Sequence, residues 1–279
     1  MNPKPIRIWH HSFTVLQNLP AYAEAMAAHF ARVSAPGTEV VMHGMHPATY
    51  QTEYPGNDIQ FAYFQTLHSQ QFVLGAIEAE EQGFDAFALT TLPEPSLQDV
   101  RSVVDIPVVG YGESAMLAAI MLGQRAGVLL FIREMAATIT RNVDRMGLGS
   151  RFVGAHDVGF GFNDVLAAYA GDANGLIERF RASAREMIAR GADVIIPGEA
   201  PLCLLLARHD VTEVDGVPVL DALAATVKAA EMMVGLRRTS GAKPCRRGYF
   251  QAQPPRARVK ELLKFYGISS LSKTGGITK

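Results

Sequence analysis

The spacing of apolar residues changes along the chain in a way that predicts alternating strands and helices. Short runs rich in Val, Ile and Phe, typical of buried parallel strands, are separated by longer stretches with helical periodicity. The predicted strands are Ile6–Trp9, Glu39–His43, Ala86–Leu89, Pro107–Gly110, Gly127–Phe131, Arg151–Ala155, Val194–Ile196 and Val217–Leu220. The predicted helices are Pro20–Val33, Gln60–Gln82, Ser114–Gly123, Arg133–Met146, Asn174–Arg190 and Asp221–Leu236. This order favours an α/β fold with mostly parallel sheets.

An internal repeat divides the pattern into two halves. Gly83-Phe-Asp-Ala-Phe is similar to Gly191-Ala-Asp-Val-Ile, and each segment follows a long predicted helix and opens a strand. We therefore predict two pseudo-symmetric lobes, residues 1–112 and 113–220, each with a mostly parallel four-stranded sheet flanked by helices. Helix 221–236 would pack back on the first lobe. The predicted active site is the cleft between the lobes, because ligands bind beyond the carboxyl ends of parallel strands.

The composition narrows the class of protein. Hydrophobic residues make up 48% and charged residues 19% of the 279 residues, which excludes a disordered chain. The formal net charge is -1, so no basic excess favours a nucleic-acid partner. Two cysteines exclude a disulfide framework and a four-cysteine zinc site. With no leader pattern and no apolar run of about 18 residues, we expect a cytoplasmic enzyme that binds a small molecule and no membrane.

The tail of the chain, residues 237–279, differs from the rest by being basic and rich in Pro and Gly. It predicts a short helix over Arg256–Tyr266 and a frayed end over 269–279. We interpret the tail as a surface extension, and binding of an anionic partner is the alternative.

The repeat also indicates where reactive side chains should lie. Thr91 stands eight residues after Gly83, and Glu199 stands eight residues after Gly191. Both positions fall just beyond the carboxyl end of a predicted strand, one in each lobe. Two groups facing each other across a cleft could act on opposite faces of one carbon atom, as a two-base racemase requires.

At these positions the sequence resembles a known family. The segments DAFALTTLPEPSLQDVRSVVDIPVVGYGESAMLAA and GADVIIPGEAPLCLLL, the latter followed by DGVPVLDALAATVKAAE, are similar to the two half-motifs of the aspartate/glutamate/hydantoin racemase superfamily. The resemblance covers most of residues 6–236 and is greatest to hydantoin- and allantoin-racemase-like proteins. It implies a cofactor-independent isomerase that forms a homo-oligomer. In the racemases each half-motif carries a catalytic cysteine, whereas here Thr91 and Glu199 stand at those positions.

Loss of both cysteines changes the chemistry that is expected. A threonine hydroxyl is a poor base for carbon, although it can bind a substrate or order its loop. The Glu199 carboxyl becomes a usable acid or base if burial raises its pKa, and a helix-capping role is the alternative. One-base chemistry at Glu199 is therefore predicted. Cys203 lies four residues further on and is expected to be a small buried residue rather than a catalyst.

The end of the first strand carries the polar run His10-His11-Ser12. Relatives in the superfamily bind substrate with an Asn-Pro-Asn-Thr-like run after this strand. Alternation points the two histidines to opposite sides, and we predict that His11 faces the cleft as a catalytic group, with His10 and Ser12 as substrate-binding residues. Histidines satisfied by the backbone at a strand end are the alternative.

Further substrate-binding candidates are predicted from other strand ends and from the long helix. They are Tyr111, Phe131, Ile132, Gly198 and His68. The bulk of Phe131 and Ile132, where relatives carry small hydroxyl residues, argues against a simple amino acid and favours a cyclic ureide or imide. A divalent metal held by His10 or His11, His68 and Glu199 is an alternative to a metal-free site, although no two histidines have the helical spacing typical of such sites.

Three functions follow from these residues. The first is a cofactor-independent isomerase or racemase that moves a proton on a small cyclic ureide, imide or carboxylic acid with Glu199. The second is a hydrolase or lyase of a cyclic amide on the same scaffold, with or without a metal. The third is a binding protein for a small molecule that has lost catalysis.

Overall fold

A computed structural model describes residues 4–52 and 54–268 of the chain, which form two α/β lobes as predicted. The first lobe contains β1 (Ile6–His11), α1 (Pro20–Val33), β2 (Thr38–His43), α2 (Gly56–Ile59), α3 (Ala62–Glu81), β3 (Ala86–Leu89), α4 (Leu97–Val103) and β4 (Val108–Gly110). Helix α5 (Tyr111–Leu122) leads to the second lobe. The first sheet is parallel throughout and has the strand order β2-β1-β3-β4.

The second lobe repeats this plan with one difference. It contains β5 (Ala126–Leu130), α6 (Ala136–Arg145), β6 (Phe152–Asp157), α7 (Phe162–Ala170), α8 (Asn174–Ala189), β7 (Val194–Pro197), α9 (Ala200–Arg208), β8 (Glu213–Val214) and β9 (Val217–Pro218). Its parallel sheet has three strands, ordered β6-β5-β7, rather than the four that we predicted.

The predicted fourth strand of the second lobe, Val217–Leu220, is replaced by two smaller features. Its first half is the short strand β9, which pairs antiparallel with β8 in a hairpin. In its second half, Val219 makes a single parallel bridge with Ile195. Pro218 has no amide hydrogen for a longer ladder, and the preceding turn holds Asp215 and Gly216 at positive φ. These two constraints keep the segment from joining the sheet as a full strand.

The repeated Gly-x-Asp segment has the same structural role in both lobes. Gly83 and Gly191 follow the ends of α3 and α8 at φ of 74° and 97°, a conformation that favours glycine. The aspartate two residues later then holds the start of the neighbouring strand. Asp85 accepts a hydrogen bond from the amide of Arg7 at 3.0 Å, and Asp193 accepts one from the amide of Arg125 at 2.7 Å.

The chain returns to the first lobe after the second is complete. Helix α10 (Ala222–Ser240) packs against β1, β3, β4 and α5. The tail that follows lies on the same lobe, where Arg246 pairs with Asp105 and Arg256 pairs with Glu80. It ends in helix α11 (Arg256–Phe265). The predicted frayed end, 269–279, lies outside the described residues.

No helix within 4–52 and 54–268 is long and apolar enough to cross a membrane.

Candidate active site

A small cavity lies between the lobes, at the carboxyl ends of the central strands. Its volume is about 50 Å³, and it is lined by residues from both halves of the repeat. The side chains that matter for its chemistry include Ser12, Tyr22, Thr91, Phe131, Ile132 and Glu199. The two positions singled out by the repeat, Thr91 and Glu199, therefore line one cavity.

The Glu199 carboxylate is held by backbone amides at the end of β5. The strand ends at Leu130, so the next two amides point beyond the ladder. Both carboxylate oxygens accept hydrogen bonds from the amide of Phe131 at 3.1 Å, and Oε1 accepts another from the amide of Ile132 at 3.0 Å. The second lobe thus presents an acidic group at a fixed place in the cavity.

Burial changes the acidity of Glu199. Only 8% of the residue is exposed, and loss of water raises the pKa of its carboxyl to about 8 although the amides of Ile132 and Phe131 favour the ionised form. Both protonation states are therefore populated near neutral pH. A group with this property can take up and release a proton within one catalytic cycle.

The predicted position of His11 in the cleft is wrong, because β1 is two residues longer than expected. The strand runs to His11, where it pairs with both β2 and β3. The His10 ring lies against Phe30 at 5.0 Å between ring centroids, and the His11 ring lies against Phe72 at 4.9 Å. Both histidines are fully buried in the core on opposite faces of the sheet, and neither lines the cavity. The chain reaches the cavity at Ser12.

Three further candidates lie outside the cavity lining. The Tyr111 hydroxyl donates to the Pro197 carbonyl at 2.9 Å and so ties the end of the first sheet to that of the second. The amide of Gly198 donates to the Leu129 carbonyl at 2.6 Å. His68 pairs with Asp58 at 2.9 Å. Of the predicted substrate-binding residues, the structure brings Ser12, Phe131 and Ile132 to the cavity.

Cys203 is buried in α9, as expected for a structural residue. Its Sγ donates to Asp221 at 3.8 Å. Burial and the nearby Asp221 raise the pKa of the thiol to about 12, so the thiol stays protonated. Within the described part of the chain, no three His, Cys, Asp or Glu residues are grouped so that they could hold a metal ion.

Several cavity residues were not predicted from the sequence. Thr14 and Thr90 are neighbours of predicted sites, and strand ends alone could have indicated them. Tyr22 comes from α1, and Tyr54 comes from the loop before α2. The Tyr54 ring stacks on Phe162 of the second lobe with centroids 4.9 Å apart. Contacts made across the two lobes leave no local signal in the sequence.

Gly198 is expected to be essential for the geometry beside Glu199. A methyl group on Gly198 would lie 2.9 Å from the Leu129 carbonyl oxygen and 3.0 Å from the Leu130 Cβ, and neither atom can move without moving β5. Gly198→Ala should therefore lower the melting temperature by roughly 2–10 °C, the range for overpacking of a core. Thermal unfolding followed by circular dichroism measures the change.

Gly175→Ala is the matched control for this substitution. Gly175 lies in α8, and beyond its chain neighbours and the backbone of its own helix no atom of the described residues lies within 4 Å of the added methyl group, so its replacement should keep or raise the melting temperature. Equal melting temperatures for Gly198→Ala and the wild type would contradict the steric argument.

The sequence of this chain is similar to those of known proteins. Residues 20–230 match the family model described as Asp/Glu/Hydantoin racemase. A hydantoin racemase of Pseudomonas sp. (strain NS671) is 32% identical over 170 residues, which cover 60% of this chain and 65% of the relative. A hydantoin racemase of Rhizobium meliloti is 29% identical over 162 residues, covering 57% and 64%. The matched segment thus spans less than two thirds of these relatives.

Solved structures show the same fold over a longer range. Allantoin racemase from Klebsiella pneumoniae superposes with a TM-score of 0.68 at 23% identity, over 90% of this chain and 94% of that one. Allantoin racemase from Pseudomonas fluorescens gives a TM-score of 0.66 at 24% identity, over 90% and 99%.

Proposed function

Because the chain belongs to the Asp/Glu/hydantoin racemase family, we propose that it is a cofactor-independent isomerase that inverts a carbon centre in a small cyclic ureide or imide. The observation that supports this most is the buried Glu199 carboxyl, which lines the interlobe cavity with its pKa raised to about 8. Glu199 stands where the resemblance implies a catalytic cysteine. A carboxyl can move the same proton that a thiol would move.

The polarity of the cavity favours an uncharged substrate. Among the described residues that line it, none is Lys, Arg or His, and Glu199 is the one carboxyl. A substrate carboxylate would bring a second negative charge into a buried site without a counterion, which is unfavourable. It would also compete with Glu199 for the amides of Phe131 and Ile132. A cyclic ureide or imide has neutral carbonyl and N–H groups, and the relatives' names are those of hydantoin and allantoin racemases.

The proposed reaction uses one base. Ionised Glu199 takes the proton from the carbon next to a ring carbonyl, and the electron pair of the broken C–H bond moves into that carbonyl, giving an enolate. The enolate then turns its other face towards Glu199, and the protonated carboxyl returns a proton to that face, which inverts the carbon. Thr91 lines the cavity from the first lobe and binds the ring through its hydroxyl, since it cannot act as a base near neutral pH.

The cavity has walls from both lobes, and two aromatic rings meet in its lining. Tyr54 and Phe162 join the two lobes across this space through their stacked rings.

Hydrogen exchange in D₂O tests the proposal. One enantiomer of a 5-substituted hydantoin, allantoin or a substituted cyclic imide is incubated with the protein. We expect the proton signal of the asymmetric carbon to disappear in NMR spectra while optical rotation falls to zero and the ring signals persist. The same buffer without protein is the control, because such protons also exchange spontaneously.

Other outcomes of this experiment identify other functions. A ring-opened product would indicate hydrolysis, and activity abolished by a chelator and restored by a divalent ion would indicate a metal. Neither outcome is favoured by the relatives, which are racemases. Exchange no faster than in the protein-free control for every substrate would refute the isomerase.

A further inference from the structure

Tyr22 is a cavity residue whose hydroxyl has no partner among the described residues. It lies in the first turn of α1, is 1% exposed and lines the same cavity as Glu199 and Thr91. Its hydroxyl oxygen is buried without a hydrogen bond. A buried hydroxyl without a partner destabilises the folded chain relative to the unfolded one, in which water satisfies it. A Phe at this position would fill the same space without that cost.

A neighbouring tyrosine shows the contrasting arrangement. The Tyr169 ring packs edge to face against Tyr22 with centroids 5.9 Å apart. The Tyr169 hydroxyl donates to the Pro201 carbonyl at 2.8 Å, so it serves the structure, and Tyr169 does not line the cavity. The two rings support each other by packing, but only the Tyr22 hydroxyl is left for a bound molecule.

The chemical character of the Tyr22 hydroxyl suits a neutral ligand. Burial and the nearby Cys203 raise the pKa of its phenol far above the usual range, so it remains a neutral donor. Ser12, Thr14, Thr90 and Thr91 add further neutral hydroxyl groups around the same cavity. Such groups recognise carbonyl oxygens and amide N–H groups rather than a carboxylate that needs a cation.

We propose that Tyr22 is a substrate-binding residue whose hydroxyl donates a hydrogen bond to a ring carbonyl oxygen of the cyclic ureide. This inference rests on the proposed function for the identity of the ligand. The unpartnered hydroxyl and the position of Tyr22 in the cavity lining support it independently of the racemase relatives. Tyr22 acts in binding, whereas Glu199 acts on the proton.

Tyr22→Phe tests the role with Tyr169→Phe as the matched control. For a 5-substituted hydantoin we expect Tyr22→Phe to raise KM about tenfold and to change kcat less than about twofold, since the lost hydrogen bond is to a carbonyl that takes up no enolate charge and so stabilises the ground and transition states equally. Its melting temperature should equal or exceed that of the wild type. Tyr169→Phe should lower the melting temperature by about 2–4 °C and leave KM within about twofold.

The outcomes separate this inference from the proposed function. Exchange by the wild type with an unchanged KM in Tyr22→Phe would overturn the role of Tyr22 and leave the isomerase standing. A melting temperature of Tyr22→Phe as low as that of Tyr169→Phe would show that the hydroxyl serves the fold, and would also overturn it. If the wild type shows no exchange, the proposed isomerase function is refuted. The role of Tyr22 is then tested by measuring the Kd of the hydantoin by calorimetry. A Kd that rises in Tyr22→Phe supports the inference, and an equal Kd or no binding overturns it.

Discussion

Glu199→Gln should lower kcat/KM for proton exchange by about 10²–10⁴-fold, the usual contribution of a general acid or base. The amide keeps the size of the side chain but cannot take up a proton. Its oxygen can still accept from the amides of Phe131 and Ile132, so the local backbone should stay in place. Steady-state rates of deuterium incorporation measure the loss.

The pH dependence of the wild type provides a second signature of Glu199. The ionised carboxylate is the base, and burial raises its pKa to about 8. Exchange should therefore accelerate as pH rises towards 8 and level off above it, a dependence that Glu199→Gln should lack. A residual rate in Glu199→Gln with the same pH profile would assign the ionisation to another group.

Glu94→Gln is the matched control for this pair of measurements. Glu94 is also buried, at 8% exposure, and burial raises the pKa of its carboxyl to about 8. Its Oε1 accepts from the Glu113 amide at 2.8 Å, and it does not line the cavity. Its replacement should leave the rate and the pH profile unchanged.

Full activity in Glu199→Gln would refute every catalytic role given to Glu199.

The second large effect concerns stability in acid, where three buried histidines should make the chain unfold. Burial lowers the pKa of His10 to about 3 and that of His43 to about 4, and it lowers the pKa of His11 well below its usual value. Below pH 6.5 the unfolded chain binds protons at these residues and the folded chain does not. The free energy of unfolding should therefore fall with decreasing pH, by up to about 1.4 kcal/mol per pH unit for each histidine.

The two buried carboxyl groups act in the opposite direction. Glu94 and Glu199 are ionised above about pH 4.5 in the unfolded chain but keep their protons up to about pH 8 in the folded one. They lower the free energy of unfolding as pH rises from 4.5 to 8. Together with the histidines, they place the maximum stability near pH 6.5.

Urea unfolding at several pH values between 4 and 9 measures this profile. His10→Leu should reduce the fall in the free energy of unfolding below pH 6.5, the acid limb of the profile, because one of the three histidines no longer takes up a proton on unfolding. His209→Gln, at an exposed side chain, is the control and should leave the limb unchanged. A free energy of unfolding that stays constant from pH 6.5 to 4.5 would contradict the histidine argument.

The repeat predicted that Thr91 and Glu199 lie at one cavity, and both do line it, because the same Gly-x-Asp turn fixes where the two strands before them start. Thr91 and Glu199 each lie two residues beyond a strand that starts three residues after the repeat glycine. The end of β1 could not be predicted in this way, since its last two residues are strand only through pairing with β2 and β3. That pairing moved His10 and His11 into the core and made Ser12 the first residue at the cavity.

The position of Tyr22 in the cavity could not be predicted from the sequence for a different reason. In the pattern of α1 it is one more apolar position on a buried helix face, where Met26 and Phe30 are also buried. Only the approach of the second lobe makes Tyr22, at the start of that face, part of a cavity wall. The failure of Val217–Leu220 to form a full strand has a local cause, Pro218, that the sequence did contain.

The return of α10 to the first lobe has a consequence for synthesis on the ribosome. The first sheet is complete when β4 ends at Gly110, but the helix that covers β1, β3 and β4 is complete only at Ser240. At about 5–20 residues per second, the nascent chain spends roughly 6–26 seconds with that apolar surface uncovered. The amino-terminal half is therefore expected to need a chaperone or to stay partly unfolded until translation nears its end. A pulse of protease applied to stalled nascent chains should cleave it until α10 has emerged.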